Sequence, residues 1–164
     1  MKHFLYGIIS CLVFILMVAV AIAFGITKLG LFPINADTAP SSLEQRLLPA
    51  VVRASVEREA RSQQLSDAST EEEVRAGEEI YKSLCAQCHG QLNGRPSVLG
   101  ASFYPPAPQL PGRSSTYTEA EQFWIIKHGI RNTSMPAWGK LLSDRDIAHV
   151  VRFLETLGSP SATE

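Results

Sequence analysis

At 164 residues and 17.9 kDa the chain has room for one domain and an appendage, not for two large domains. Fifteen Lys and Arg stand against 16 Asp and Glu, a formal net charge of −1, which excludes a strongly basic nucleic-acid binder and an acidic disordered tail. Three cysteines are too few for a disulfide scaffold.

The hydrophobic content of 45% is unevenly spread. Residues 4–27 contain no charged side chain. As a helix this run reaches about 36 Å, enough to cross a hydrocarbon core of about 30 Å with some tilt. It reads as a retained membrane anchor. A cleaved signal is the alternative, because Ala19-Val20-Ala21 and Ala21-Ile22-Ala23 offer small-x-small steps. The run is longer than a signal's apolar region and continues past both sites through Phe24, Gly25 and Ile26. A lipid-modified Cys11 is excluded, since the apolar stretch follows Cys11 instead of preceding it. Residues 1–30 are thus assigned to the anchor, 31–70 to a connector and amphipathic stalk helix, 71–158 to a soluble domain and 159–164 to a tail.

After the anchor, Pro33, Asn35, Asp37 and Pro40 mark a connector. Ser41-x-x-Glu44 is a capping-box pattern. Leu47, Leu48, Val51, Val52 and Val56 follow at rough helical spacing, so an amphipathic helix is expected within residues 43–63. Pro49 would kink it or open a shorter one. Its expected role is to pack on its own domain or on a partner; three arginines over residues 51–63 are few for a membrane-surface helix. Residues 62–70 are polar and serine-rich and read as a linker.

Three further helices are expected. Thr70-x-x-Glu73 opens one whose inward face is Val74, Gly77, Ile80, Tyr81 and Leu84. Thr118-x-x-Glu121 opens a second, stopped by Gly129. Ser143-x-x-Asp146 opens the last, with Ile147, Val150, Val151, Leu154 and Leu157 as its stripe and Gly158 and Pro160 at its end. His149, Arg145 and Arg152 fall on its polar side. Residues 91–115 carry five prolines and read as irregular; a loop that long must be organised by something other than its own core. No strand pattern is present, so the fold class is all-α.

Cys85-Ala86-Gln87-Cys88-His89 is a C-x-x-C-H motif, the attachment spacing of c-type haem. Each thiol can add to one of the two haem vinyl groups, and the adjacent imidazole then serves as the proximal iron ligand. A thioredoxin-like redox pair would need a βαβ context, and a zinc site would need further ligands at the right spacing. The second axial ligand should come from downstream. Met135 is the only methionine beyond the N-terminal run, Met1 preceding it and Met17 lying within it, and Pro136 restricts its backbone to an extended form. His128, His149 or an open iron site are the alternatives.

With these motifs in place the sequence resembles class I c-type cytochromes, specifically small monohaem cytochromes held by an N-terminal membrane helix. The resemblance spans about residues 71–157. It rests on the haem motif, Tyr104-Pro105-Pro106-Ala107-Pro108, Gly129-Ile130-Arg131, Ser134-Met135-Pro136-Ala137-Trp138 and the final Ser-Asp helix. It implies a helical domain wrapped round one covalent haem c, with first and last helices crossing at Gly77 and Tyr81 stacking on Phe153 there. It also implies that a carbonyl of Pro105 or Pro106 accepts the His89 ring N–H, and that Arg113, Trp124 and Trp138 bond the haem propionates.

An iron with His and Met ligands has no free position and exchanges single electrons. The expectation is a membrane-anchored electron carrier and no enzyme of its own. Its haem domain would lie on the periplasmic side of a bacterial cytoplasmic membrane, with the N-terminus inside. Redox proteins or the subunits of a membrane oxidoreductase would be its partners, and nucleic acid would not. A haem subunit of such a complex is the alternative, and a gas sensor or peroxidase would need an open iron. From Glu71 onward acidic side chains slightly outnumber basic ones, so no lysine-ringed docking face is evident.

Overall fold

The computed structural model describes residues 2–30, 34–63, 65 and 69–157, and among them there are helices, turns and no strand. The chain divides into two units, Met1–Thr38 and Ala39–Glu164.

The first unit is built on α1, Lys2–Lys28, 27 residues long with a mean hydropathy of 2.9. A helix satisfies its own backbone hydrogen bonds, which an environment without water demands. None of its side chains is buried within the protein. Near its end the Thr27 hydroxyl donates to the Ala23 carbonyl at 2.8 Å, so a polar side chain is satisfied inside the helix. Past α1, the Asn35 amide donates to Asp37 Oδ1 at 2.7 Å and to the Thr38 hydroxyl, forming a local turn.

The second unit opens with α2, Ser42–Glu59, which a short 3-10 turn extends over Ala60–Ser62. The Ser41 hydroxyl accepts the Glu44 N–H, which caps the helix start. The helix is continuous through Pro49, which neither opens nor ends it. Proline there removes one backbone donor, and packing of the C-terminal half compensates: Val56 and Ala60 are fully buried. The linker expected over residues 62–70 lies partly outside the described residues. Leu65, within it, packs against the main core.

The next helix is α3, Glu71–Ile80. Its capping box is complete: the Thr70 hydroxyl accepts the Glu73 N–H and the Thr70 N–H donates back to Glu73 Oε2 at 2.9 Å. A π-helical segment, Tyr81–Cys85, and α4, Ala86–His89, continue it. Then come α5, Val98–Ala101; α6, Glu119–His128; a 3-10 turn, Trp138–Lys140; and α7, Asp144–Leu157. The box at Thr118 and Glu121 is also complete, and Ser143 and Asp146 bond each other at the head of α7. The stop expected from Gly158 and Pro160 lies outside the described residues.

The main core joins Phe123 and Ile126 of α6 to Ile147, Val150 and Val151 of α7. A second cluster joins Tyr81, Ala86 and Phe153. Helices α3 and α7 touch at Gly77, where a Cβ would fall 2.0 Å from the His149 carbonyl oxygen and 2.9 Å from the Phe153 Cβ. One turn further on, the rings of Tyr81 and Phe153 meet with centroids 5.4 Å apart, tilted by 54°.

Two expectations are refined. Arg152, on the polar side of α7, is nevertheless buried, and its guanidinium holds Glu119 at 2.7 Å, tying α7 to the first turn of α6. His149 beside it is half-buried. Residues 91–115 are not wholly irregular, because α5 forms within them, capped by the Ser97 hydroxyl on the Gly100 N–H at 2.7 Å.

The contact at Gly77 admits no side chain without separating α3 from α7. Gly77→Ala is expected to lower stability by about 3 kcal/mol or more, at the upper end for overpacked sites. Urea denaturation of the purified protein measures it. An unchanged midpoint would show the helices standing further apart.

Candidate haem site

An apolar cavity lies between the π-helical segment, α4, the loop of residues 103–117, α6, α7 and the loop that carries Met135. Counted out to its open mouth it encloses about 1160 Å³. Cys85, Cys88 and His89 all line it. So do Met135 and Trp138, delivered from the stretch between α6 and α7. Pro105, Pro106, Ala107 and Pro108 form one stretch of wall, and Ile125, Ile126, Val150 and Leu154 reach it from the core.

The motif cysteines are placed by the change of helical pitch before them. The π-helical segment Tyr81–Cys85 carries the chain off the α3 axis, and α4 then presents Cys88 and His89. Tyr81 anchors this bend. Its ring is fully buried, and its hydroxyl donates to the Gly90 carbonyl at 2.8 Å. Burial pushes the Tyr81 phenol well above its ordinary value, so it remains a donor. Burial, with Cys88 beside it, pushes the Cys85 thiol up to about 11. A thiol shifted upward is the opposite of the activated thiolate that a redox dithiol needs. The two sulfurs are not joined in a disulfide. Among the described residues no three His, Cys, Asp or Glu side chains converge on a point that would hold a metal ion.

His89 shows the geometry of a ligand held by its other nitrogen. Its Nδ1–H donates to the Pro108 carbonyl at 2.8 Å. A carbonyl can only accept, so the proton sits on Nδ1 and Nε2 keeps its lone pair. Burial lowers the imidazole's affinity for a proton, against the opposing effect of Pro108, and this also keeps Nε2 free. The acceptor is a correction: the resemblance placed it at Pro105 or Pro106, and the structure places it at Pro108. The register is set by bonds on both sides. The Ala107 N–H donates to the Gly100 carbonyl at 2.9 Å and the Leu110 N–H to the His89 carbonyl at 3.0 Å, so the carbonyl between them faces the ring. Pro106 itself lines the cavity wall.

The long loop is organised by hydrogen bonds to the haem motif. Gln109 Nε2 donates to the Cys88 carbonyl at 3.3 Å and to the Ala107 carbonyl at 3.1 Å, while its Oε1 accepts the Ser97 N–H at 2.6 Å. The Ser97 hydroxyl donates to the Gln87 carbonyl. At Gly100 a Cβ would fall 1.9 Å from the Cys88 carbonyl oxygen, so α5 can seat there only with glycine. None of these roles was read from the sequence. Gln109 carried the one signal: an amide with donors and an acceptor inside a run of proline and alanine.

Met135 is held as closely. Gly129 ends α6 at φ +67°, and a Cβ there would lie 2.7 Å from the Met135 carbonyl oxygen. The Ile130 N–H donates to that carbonyl at 3.2 Å, and the Met135 N–H donates to the Thr133 hydroxyl at 3.1 Å. The alternatives lie elsewhere: neither His128 nor His149 lines the cavity. His128 is exposed and stacks on Trp124, centroids 4.9 Å apart. Trp124 is therefore not at the cavity, and Arg113 is exposed and outside its lining; of the three side chains expected at the propionates only Trp138 lines it.

These residues fit a porphyrin: an apolar slot, two unpaired thiols and one oriented imidazole. With the membrane-length helix α1, the fold and this site define a single-pass membrane c-type cytochrome, which carries one covalent haem c and transfers single electrons. The family described as cytochrome c oxidase, cbb3-type, subunit III matches residues 72–154, half of the chain, and the chain belongs to that family. No curated protein sequence matches it significantly. Among solved structures it is similar to a chain of the reducing HAO-like protein complex of Kuenenia stuttgartiensis, 26% identical, covering 58% of this chain and 45% of that one, with a TM-score of 0.45. The chain thus spans less than half the length of that relative.

Removing the Gln109 amide would strand the Cys88 carbonyl and the Ser97 N–H, which are part-buried. Gln109→Leu is expected to lower stability by about 2 kcal/mol, the cost of one or two unpaired polar groups. Thermal denaturation followed by circular dichroism measures it.

Proposed function

We propose that Met135 Sδ and His89 Nε2 are the axial donors to the haem, and that the chain serves as a carrier of single electrons on the periplasmic side of a bacterial cytoplasmic membrane. One observation carries this reading. Cys85, Cys88, His89 and Met135 line the same apolar cavity, while the competing histidines do not. When bound, haem iron with these ligands supplies a one-electron couple with no vacant coordination position. The protein's part is to hold, orient and exclude. Pro108 fixes the His89 tautomer, the Gly129 turn presents the thioether, and the proline-rich wall keeps water out. The place of Trp138 on the cavity wall supports its indole N–H as a partner for a propionate. Orientation follows from haem attachment: a c-type haem is joined to its two thiols outside the cytosol, in an oxidising compartment where dedicated machinery must keep them from pairing, and this keeps residues 1–3 inside.

Met135→Ala tests the ligand. The ferric protein should lose the weak near-infrared band of a sulfur–iron bond, the reduction potential should fall, and the ferrous protein should bind carbon monoxide where the wild type binds it slowly or not at all. An unchanged band and potential would make Met135 a packing residue and favour the sensor or peroxidase alternative.

A second reading, a haem subunit within a larger oxidoreductase, is favoured by α2. Leu43, Leu47 and Val51 stand at i, i+4 and i+8 and are each more than half exposed, so this helix shows an apolar stripe that its own domain leaves uncovered. The name of the matched family points the same way. The size of the detergent-solubilised protein from native membranes separates the two: a monomer supports the free carrier, and a stoichiometric companion supports the subunit.

A further inference from the structure

Helix α2 lies outside the residues that match the family, yet it grips the cavity wall at two points. At one end of the proline-rich loop the Tyr104 hydroxyl donates to Glu44 Oε1 at 3.1 Å. At the other the Arg53 guanidinium donates to the Thr116 carbonyl at 2.8 Å and lies 4.8 Å from the centroid of the Tyr117 ring. Tyr117 itself lines the cavity. Glu44 and Arg53 are two and a half turns apart, about 13 Å along the helix. Buried Val56 and Ala60 fix the helix on the domain, and Glu57 steadies the Arg53 fork at 2.6 Å.

The loop between these two ties supplies the Pro108 carbonyl to His89 and the prolines to the cavity wall. Three of its first four residues, Pro105, Pro106 and Pro108, have no N–H and cannot anchor the loop through backbone donors. Its inner side is tied to the haem motif through Gln109 and Leu110, and to Gly100 through Ala107. Its two ends are tied to α2. A wall secured in the middle and loose at the ends could still swing open.

We propose that α2 is a clasp on the haem cavity, with Glu44 and Arg53 as positioning residues that hold the proline-rich wall shut and the Pro108 carbonyl against His89. The inference rests on the haem reading but not on which group is the distal ligand. The ion pair with Glu57 is exposed and screened, so the effective contacts are the Thr116 carbonyl, the Tyr117 ring and the Tyr104 hydroxyl.

The test uses the full-length haem-loaded protein in detergent, with Arg53→Gln and Tyr104→Phe. Amide exchange over residues 104–117 should quicken about tenfold, while α7 stays at the wild-type rate. Binding of imidazole to the ferric protein should quicken by a similar factor, and Arg53→Lys, which keeps a cation at the Tyr117 ring, should restore part of the protection. If Arg53→Gln does not fold, Tyr104→Phe removes one hydroxyl only and decides alone. Wild-type exchange at residues 104–117, or equal acceleration throughout α7, would overturn the clasp. Imidazole binding that is already fast in the wild type would instead count against Met135 as the ligand and leave the exchange result to decide the clasp.

Discussion

The approach of α3 to α7 at Gly77 governs the placement of everything around the haem. The backbone of one helix lies against the backbone of the other, with the His149 carbonyl in the space a side chain would take. Because α3 is pinned there, Tyr81 reaches Phe153 a turn later, and its hydroxyl reaches the Gly90 carbonyl. Those contacts fix the bend that turns the two cysteines and the histidine toward the cavity. A shift of α3 by the width of one methyl group would move all three together.

The second half of the site is built differently. Between Gly90 and Thr118 there is little helix and few buried apolar side chains. Stability comes instead from bonds to the backbone carbonyls of Gln87, Cys88 and His89, which a helix C-terminus leaves without internal partners. The unsatisfied end of α4 is therefore the framework on which the loop is laid. The sequence reading expected an external organiser for this stretch, and the haem motif's own carbonyls supply part of it.

Features whose causes are local were legible in the sequence. The capping pairs at Thr70 and Glu73, Thr118 and Glu121, and Ser143 and Asp146 each need only residues three apart. The C-x-x-C-H motif likewise carries its chemistry within five positions. What escaped depends on distant partners. Which proline carbonyl meets His89 is decided by bonds from Ala107 and Leu110 to Gly100 and His89, and periodicity says nothing of that register. Arg152 falls on the polar side of its helix, and its burial is decided by a partner, Glu119, on another helix. The crossing at Gly77 was reached only through the likeness to known cytochromes, since an isolated glycine in a helix has no signature of its own.

The proline-rich wall has a consequence for the rate of electron exchange. A site whose charge changes by one unit must reorganise whatever dipoles surround it, and that rearrangement is part of the activation barrier. Prolines 105, 106 and 108 carry no N–H dipole, have a fixed φ, and are flanked by carbonyls already committed to Gln109 and His89. Leucine, isoleucine and valine line it too, and of its polar side chains Ser115, Gln122 and Thr133 are already committed to hydrogen bonds. Such surroundings have little to turn and little room to turn it. The oxidised and reduced forms can then share nearly one geometry, and the barrier between them is kept low by the stiffness of the walls.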